Sequence, residues 1–172
     1  MKGGASVNAV PDVRMPGVVY PPPDTLQRYL DAGALTRETL VDGFAAAVQR
    51  HAQRPALVGP SGQLSYAELD ARTDRLAAGL LRLGMRPLDR VIFQAGNSHE
   101  LVIAFLACHK ASLIPVCTLA AHREHEIGYL GQLSEARLHL VQGDDPKFDD
   151  VAFAQRMRAQ LPAVEHTVQA RG

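Results

Sequence analysis

The sequence is poor in cysteine, in aromatic residues and in net charge, and it has no long apolar run. Of its 172 residues only 5% are aromatic and two are cysteines, and 18 Lys+Arg balance 18 Asp+Glu, for a formal net charge of zero. The lack of excess positive charge argues against a nucleic-acid partner, because phosphates favour a basic face. No apolar run approaches the roughly 18 residues that cross a bilayer, so we expect no membrane span.

The two cysteines and the start of the chain bear on the cellular compartment. Cys108 and Cys117 lie among apolar neighbours, in AFLACHKA and LIPVCTLA. This setting favours buried free thiols over a disulfide or a reactive nucleophile. The start, MKGGASVNAVPD, lacks the continuous apolar core of a signal peptide. Together these features predict a cytoplasmic protein.

Proline and glycine set the first part of the chain apart. Residues 1–23 are rich in both, which predicts a flexible arm ahead of one folded region over residues 24–172. Asp24 is expected to cap a helix that runs to Leu35. A second, amphipathic helix is expected to begin near Thr36.

A hairpin and a capped helix are predicted next. The segment PALVGPSGQLSY has two short runs around Pro60, Ser61 and Gly62, which predicts a hairpin turn. Ser65 and Glu68 stand three apart, the pattern of a capping box, in which each side chain satisfies a free backbone donor. The helix that they open is expected to stop at Gly84.

From residue 90 onward, short apolar runs alternate with helical patterns. Strand, helix, strand at this spacing predicts an α/β fold with a largely parallel sheet flanked by helices. RVIFQA and LIPVCT are nearly all apolar, as in middle strands, whereas RLHLV and VEHTVQ alternate more and are expected nearer an edge. His109 and His139 lie in apolar stretches and are expected in the core or half-buried. The expected strands are Arg90–Ala95, Leu113–Thr118, Arg137–Val141 and Val164–Gln169, and the expected helices are Ser98–Ala111, Arg123–Leu133 and Asp149–Leu161.

The loops after the strands are where ligand-binding residues are expected, because parallel sheets bind ligands at the carboxyl ends of their strands. The loop GNSHE after RVIFQA has one glycine, which argues against a dinucleotide-binding oxidoreductase. The sequence also has no G-x-x-x-x-G-K-[ST] loop and no G-x-S-x-G elbow. Ser98 is expected to cap the next helix, while Asn97 either shapes the turn or points into a substrate pocket.

The stretch AAHREHEI follows the strand LIPVCT and is rich in acids and bases. His122, His125 and Glu126 could share one helical face. However, HREHE is not H-E-x-x-H, and no distant third ligand is apparent, so capping and solvation are favoured over a metal site. His122 and Arg123 stay pocket candidates beside Asn97, because they follow strand carboxyl ends.

The order of these motifs resembles the opening third of the adenylate-forming enzymes, the superfamily of acyl- and aryl-CoA synthetases and nonribosomal-peptide adenylation enzymes. The L-[ST]-Y-x-E-L helix start of that family appears as LSYAEL, and its G-D-x-V turn appears with Leu88 in place of the glycine. Its P-N-x-x-E loop appears as GNSHE, and AAHREHEI is similar to the H-R-x-x-E-I of the branch that holds 2,3-dihydroxybenzoate-AMP ligases and cyclohexanecarboxylate-CoA ligases. The resemblance covers residues 24–170.

The resemblance implies a two-step ligase of fatty acid or aryl acid metabolism. A carboxylate attacks the α-phosphate of ATP, with magnesium neutralising charge, and the acyl group then passes to the thiol of coenzyme A or of a carrier-protein phosphopantetheine. The family's Ser/Thr/Gly-rich phosphate loop with its lysine has no counterpart in these 172 residues. The sequence also has no counterpart of three further residues of the family: the acidic residue for magnesium, the aspartate for the ribose and the C-terminal lysine.

We therefore expect the chain alone to be inactive, a partial N-terminal subdomain with no catalytic residue and no cofactor or metal of its own. Its expected partner is the remainder of the ligase. A stand-alone binding or scaffold domain that keeps the fold without the chemistry is the alternative. Apolar surface that would pack on the remaining subdomains also makes a homo-oligomer an expected assembly.

Overall fold

The computed structural model describes residues 18–171. Most of the predicted arm, residues 1–23, lies outside these residues. The chain divides into two units, residues 1–37 and residues 38–172.

The first unit contains helix α1, Pro23–Asp31. The prediction that Asp24 caps this helix is wrong, because Pro22 holds the cap position and Asp24 lies in the first turn. Proline suits the first helical position, where its fixed φ is helical and its missing N–H has no partner to lose. The helix ends earlier than expected, at a turn in which Gly33 has a φ of 68°.

The second unit begins with helix α2, Leu40–His51. The Asp42 N–H donates to Thr39 Oγ1 at 3.1 Å, and the Thr39 N–H donates to the Asp42 carboxylate at 2.9 Å. This capping box makes Thr39 the N-cap of α2. The helix therefore begins later than the start near Thr36 that the sequence predicts.

The predicted hairpin is present. Strands β1, Pro55–Gly59, and β2, Gly62–Ser65, pair antiparallel. Pro60 and Ser61 form the turn, and Gly62 has a φ of 106°, which glycine adopts without steric cost.

Helix α3, Tyr66–Arg82, confirms the predicted cap and stop. The Ser65 N–H donates to the Glu68 carboxylate at 2.8 Å, and the Glu68 N–H donates to Ser65 Oγ at 3.3 Å. Gly84, with a φ of 96°, follows the helix end as expected.

A parallel sheet with helical crossovers completes the unit and confirms the α/β fold. The strand order is β4-β3-β5-β6, and every neighbouring pair is parallel. The strands are β3 Arg90–Gln94, β4 Ile114–Cys117, β5 Leu138–Val141 and β6 His166–Gln169, and the crossover helices are α4 His99–Lys110, α5 Glu124–Ser134 and α6 Asp150–Gln160.

The predicted positions of two strands in the sheet are wrong. LIPVCT forms the edge strand β4, and RLHLV forms the central strand β5, in which all four residues are buried. Pro115 in β4 suits an edge, because proline has no N–H to donate to a neighbouring strand. His139 is compatible with a central strand because it has a buried hydrogen-bond partner, described below. VEHTVQ does lie at an edge of the described sheet, as expected.

The core lies on both faces of the sheet. Val91, Phe93, Leu138 and Leu140 pack with α3 and α4 on one face, while Ile92 packs with α5 and α6 on the other. The chain therefore leaves β3 for one face and β5 for the other. The carboxyl ends of these two adjacent strands form a topological switch point, the usual place for a ligand in such sheets. Within residues 18–171, no helix has the length and apolar character that a membrane crossing requires.

Candidate ligand site at the carboxyl edge of the sheet

Two of the cavities at the carboxyl edge of the described sheet adjoin the loop after β3. The first, here called the hairpin cleft, has a volume of about 430 Å³ and lies between the β1–β2 hairpin and the amino end of α4. The second, here called the strand-end pocket, has a volume of about 420 Å³ and lies beyond the ends of β3 and β4. Asn97 lines both cavities.

The loop after β3 has the cap that the sequence predicts. Ser98 Oγ accepts from the Leu101 N–H at 3.2 Å, which makes Ser98 the N-cap of α4. Asn97 is exposed at this turn. A ligand contact by Asn97 stays a prediction.

His122 and Arg123, the other predicted pocket residues, line neither of these cavities. His122 precedes α5, so it does not share a helical face with His125 and Glu126. Its Nδ1 accepts from the Leu119 N–H at 3.4 Å. Among the described residues, no group of three or more His, Cys, Asp or Glu side chains is arranged to hold a metal ion.

Arg123 supports the loop between β4 and α5. Its guanidinium donates to the carbonyls of Ala120, at 2.9 Å, and His122, at 2.7 Å. The guanidinium carbon also lies 3.7 Å from the centre of the Phe148 ring, a cation–π contact. The Arg123 N–H donates to the Glu126 carboxylate at 3.0 Å, and this bond lowers the pKa of that carboxyl. These contacts give Arg123 a structural role in the loop.

A buried polar chain crosses the sheet to the same loop. Gln94 Nε2 donates to the His122 carbonyl at 2.8 Å, and Gln94 Oε1 lies 2.9 Å from His139 Nε2. Because Oε1 only accepts, the His139 proton must lie on Nε2. His139 is fully buried, and burial lowers the pKa of its ring to about 4.

The two thiols have different environments. Cys108 is buried, as expected, and burial raises the pKa of its thiol to about 12. The expectation of a buried Cys117 is wrong, because this residue is exposed at the end of the edge strand and lines the strand-end pocket. Both thiols are free.

The loop after β5 is fixed by backbone and side-chain bonds. The Gly96 N–H donates to Gln142 Oε1 at 2.9 Å, which ties the ends of β3 and β5 together. The Gly143 N–H donates to the Asp150 carboxylate at 3.1 Å. Burial raises the pKa of the Asp150 carboxyl, although this bond opposes the shift. The switch point is thus an ordered part of the fold.

The sequence did not indicate one pair of residues, His99 and Ser61. His99 Nδ1 lies 3.2 Å from Ser61 Oγ across the hairpin cleft, although the two residues are 38 positions apart. The available signal was Gly59, since a glycine in a strand often marks a close approach. A Cβ built on Gly59 would lie 3.2 Å from His99 Nε2.

Comparison with known proteins agrees with this architecture. The family model described as AMP-binding enzyme matches residues 44–171. Triostin synthetase I of Streptomyces triostinicus is 38% identical over 86% of this chain and 28% of its own length. The salicyl-AMP ligase / salicyl-S-ArCP synthetase of Mycobacterium tuberculosis is 35% identical over 92% of this chain and 29% of its own. The apo structure of Mycobacterium smegmatis MbtA superimposes with a TM-score of 0.80, at 29% identity, over 88% of this chain and 28% of that one.

The parallel sheet with its flanking helices is that of the N-terminal subdomain of an adenylate-forming enzyme. The chain belongs to the AMP-binding enzyme family. It spans between a quarter and a third of the length of these relatives.

Proposed function

We propose that this chain forms the N-terminal part of a ligase that activates an aromatic carboxylic acid as its adenylate and then forms a thioester. The supporting observation is the likeness to the salicyl-AMP ligase, 35% identical over 92% of this chain. An aryl acid is preferred to a fatty acid because this relative's substrate is aromatic. A cytoplasmic location belongs to the same proposal. So does a thiol acceptor, either coenzyme A or a carrier-protein phosphopantetheine.

The 172-residue polypeptide by itself is proposed not to form the adenylate. Adenylyl transfer depends on holding the triphosphate in line with the carboxylate and on stabilising the charge that develops. The phosphate loop that the family resemblance assigns to this task has no counterpart in residues 1–172. ATP, magnesium and coenzyme A or phosphopantetheine would therefore be bound mainly by the remainder of the ligase, which is the proposed partner.

ATP–pyrophosphate exchange tests the proposal. Purified 172-residue protein should show no exchange with salicylate, 2,3-dihydroxybenzoate or benzoate. The same chain extended through the downstream reading frame should show exchange with at least one of them. Exchange by the 172-residue protein would refute inactivity, and an extended protein that activates only aliphatic acids would refute the aryl preference. A stop codon directly after residue 172 would instead favour a binding or scaffold domain.

A homo-oligomer is also proposed. Leu119 follows β4, and Tyr129 and Leu133 belong to α5; their exposures are 64%, 63% and 69%. Large apolar side chains that stay exposed favour association. Light scattering that reports a monomer at all concentrations would contradict this.

A further inference from the structure

The two edge strands of the parallel sheet differ in what they offer to a further strand. Along a strand of such a sheet, successive residues turn their backbone N–H and C=O groups to the two sides in alternation. In β4, the N–H groups of Ile114 and Thr118 donate to backbone carbonyls on the β3 side. By this alternation, Pro115 and Cys117 face away from the sheet. Since proline has no N–H, the free edge of β4 presents a single donor and resists pairing.

The free edge of β6 has no such protection. The N–H groups of His166 and Ala170 donate to backbone carbonyls on the β5 side. By the same alternation, Thr167 and Gln169 turn both their N–H and their C=O groups away from β5. No residue within the described range 18–171 bonds to these outward groups. The strand also contains no proline, no lysine and no bulge that would hinder a further strand.

Apolar surface that is not fully buried adjoins the same edge. Val168 and Ala170 pack partly buried on the face of the sheet that α3 and α4 cover. A cavity of about 160 Å³ lies beside them, and its walls include Leu76, Ile103 and Leu140. A strand added next to β6 would extend the sheet past this opening and remove apolar surface from water. Unpaired backbone and apolar surface beside it together favour strand addition at β6.

The outward-facing residues of β6 are complementary to a second copy of themselves. When two β6 strands run antiparallel about a two-fold axis at Val168, Thr167 of one copy lies opposite Gln169 of the other. Facing residues of this kind exchange two N–H···O=C bonds, and the axis creates two such pairs. This register therefore uses all the outward backbone groups of Thr167 and Gln169 in both copies. A shift of one residue would place them opposite residues whose backbone groups already bond to β5.

The charges at the two ends of β6 fit the same register. The axis at Val168 brings Glu165 of one copy opposite Arg171 of the other, once at each end of the pairing. Opposite charges on facing residues of antiparallel strands are favourable, whereas like charges there destabilise the pair. Each side chain also has a partner in its own copy, because Glu165 accepts from Arg137 and the Arg171 guanidinium lies 3.1 Å from Asp144. The charges thus select the register, and the backbone bonds supply more of the affinity.

We propose that two copies of this chain associate through β6, antiparallel about Val168, which joins their four-stranded sheets into one sheet of eight strands. The proposal names the interface of the homo-oligomer proposed above. It rests on that part of the proposed function and is independent of the ligase reaction. The interface lies at the opposite edge of the sheet from β4, so variants can separate it from the exposed apolar side chains Leu119, Tyr129 and Leu133.

Disulfide cross-linking of the 172-residue protein tests the register. Each variant also carries Cys117→Ser, which removes the exposed thiol. With oxidised glutathione, Val168→Cys should form a covalent dimer, because residues that face each other at the axis have Cβ atoms about 4.5 Å apart. Thr167→Cys is the matched control, since its two copies lie diagonally, about 7–8 Å apart, beyond the reach of a disulfide. No dimer from Val168→Cys, or as much dimer from Thr167→Cys, would overturn the proposal.

Analytical ultracentrifugation over a range of concentrations tests the interface without a cross-link. Thr167→Pro removes an outward N–H that is not part of the β5 ladder, so two of the four intermolecular bonds are lost and the dissociation constant should rise at least about tenfold. Leu133→Ser, on the exposed face of α5, is the control and should leave the dissociation constant unchanged. Circular dichroism confirms that each variant is folded.

The outcomes separate this interface from the homo-oligomer as such. A dimer that survives Thr167→Pro but dissociates with Leu133→Ser would overturn the β6 interface and keep the homo-oligomer, whereas a monomer at all concentrations would overturn both.

Amide hydrogen exchange identifies what covers the β6 edge. The Thr167 and Gln169 amides of the 172-residue protein should exchange slowly at high concentration and faster on dilution. A strand from the remainder of the ligase is the other possible occupant. Exchange of these amides that is fast at every concentration in the 172-residue protein, but slow in a monomeric chain extended through the downstream reading frame, would identify that occupant and overturn the proposal.

Discussion

Acidification below pH 6.5 should destabilise the fold through His139. This ring is fully buried in the central strand, and its Nε2–H donates to Gln94 Oε1. Protonation would place a charge in the core with a second N–H at Nδ1, which is buried and has no partner among the described residues. The folded protein therefore resists protonation, and burial lowers the pKa of His139 from 6.5 to about 4.

The size of the effect follows from proton linkage. Above pH 6.5 the ring is neutral in both the folded and the unfolded state, so it contributes no pH dependence. Between pH 6.5 and pH 4 the unfolded chain binds a proton that the folded chain does not, and stability falls as the pH falls. From pH 7 to pH 5 the loss amounts to about 2 kcal/mol, at 1.36 kcal/mol per pH unit. That is a large fraction of the roughly 5–15 kcal/mol that stabilises a typical domain.

Urea unfolding at pH 7 and pH 5, for the parent chain and for His139→Gln, measures this loss. Glutamine cannot be protonated and keeps an N–H donor for Gln94. The variant should start less stable at pH 7, because it packs less well, but it should lose about 2 kcal/mol less on acidification. Carboxyls with a lowered pKa, such as Glu68, also lose stabilisation in acid, but they are present in both proteins and cancel in the difference.

Equal losses in the two proteins would refute this account of His139. An independent check is the NMR titration of the His139 ring in the folded protein. Its midpoint should lie well below 6.5, near 4. A midpoint at 6.5 would show that the ring is hydrated, and the deduced tautomer and its bond to Gln94 would fail with it.

Three further outcomes are expected. Ser65→Ala should lower the unfolding free energy by about 1 kcal/mol in urea titrations, because the α3 capping box is lost, and an unchanged midpoint would contradict the cap. Gly143→Ala should cost more than about 2 kcal/mol by the same assay, since φ is 95° and the new Cβ would clash with the Arg171 carbonyl oxygen; an equally stable variant would be inconsistent with that geometry. With a thiol reagent at pH 8, Cys117 should react promptly and Cys108 only after unfolding, because Cys108 is buried and its pKa is raised to about 12. Rapid modification of both thiols in the folded protein would show that Cys108 is accessible.

Features made by neighbouring residues could be predicted from the sequence. Ser65 and Glu68 form their capping box over three positions, and the turn at Gly62 depends on one glycine, so neither needs the tertiary fold. The alternation of strands and helices after residue 90 also depends on local periodicity. These elements lie close to where the sequence placed them.

The order of strands in the sheet could not be predicted from polarity alone. His139 made β5 look like an edge strand, yet its partner Gln94 comes from the neighbouring strand, 45 positions earlier in the chain. Pro115 indicated that β4 is an edge strand, because proline removes a ladder donor. The prediction of a middle strand gave more weight to the apolar character of LIPVCT. The exposure of Cys117 follows from the same edge position.

The hairpin cleft depends on a contact that no local pattern encodes. The loop GNSHE gave Ser98 a cap role that the structure confirms, but it gave no reason to single out His99. His99 gains its hydrogen-bond partner only when β1 and the hairpin turn pack against α4 and bring Ser61 Oγ to its Nδ1. Gly59 permits the approach, because a methyl group there would press on Nε2 at 3.2 Å. A Gly59→Ala substitution should therefore displace the imidazole and shift the ¹H–¹⁵N amide signals of Ser61 and His99 while leaving the hairpin paired. If those signals match the parent's, the close approach does not position the imidazole against Ser61.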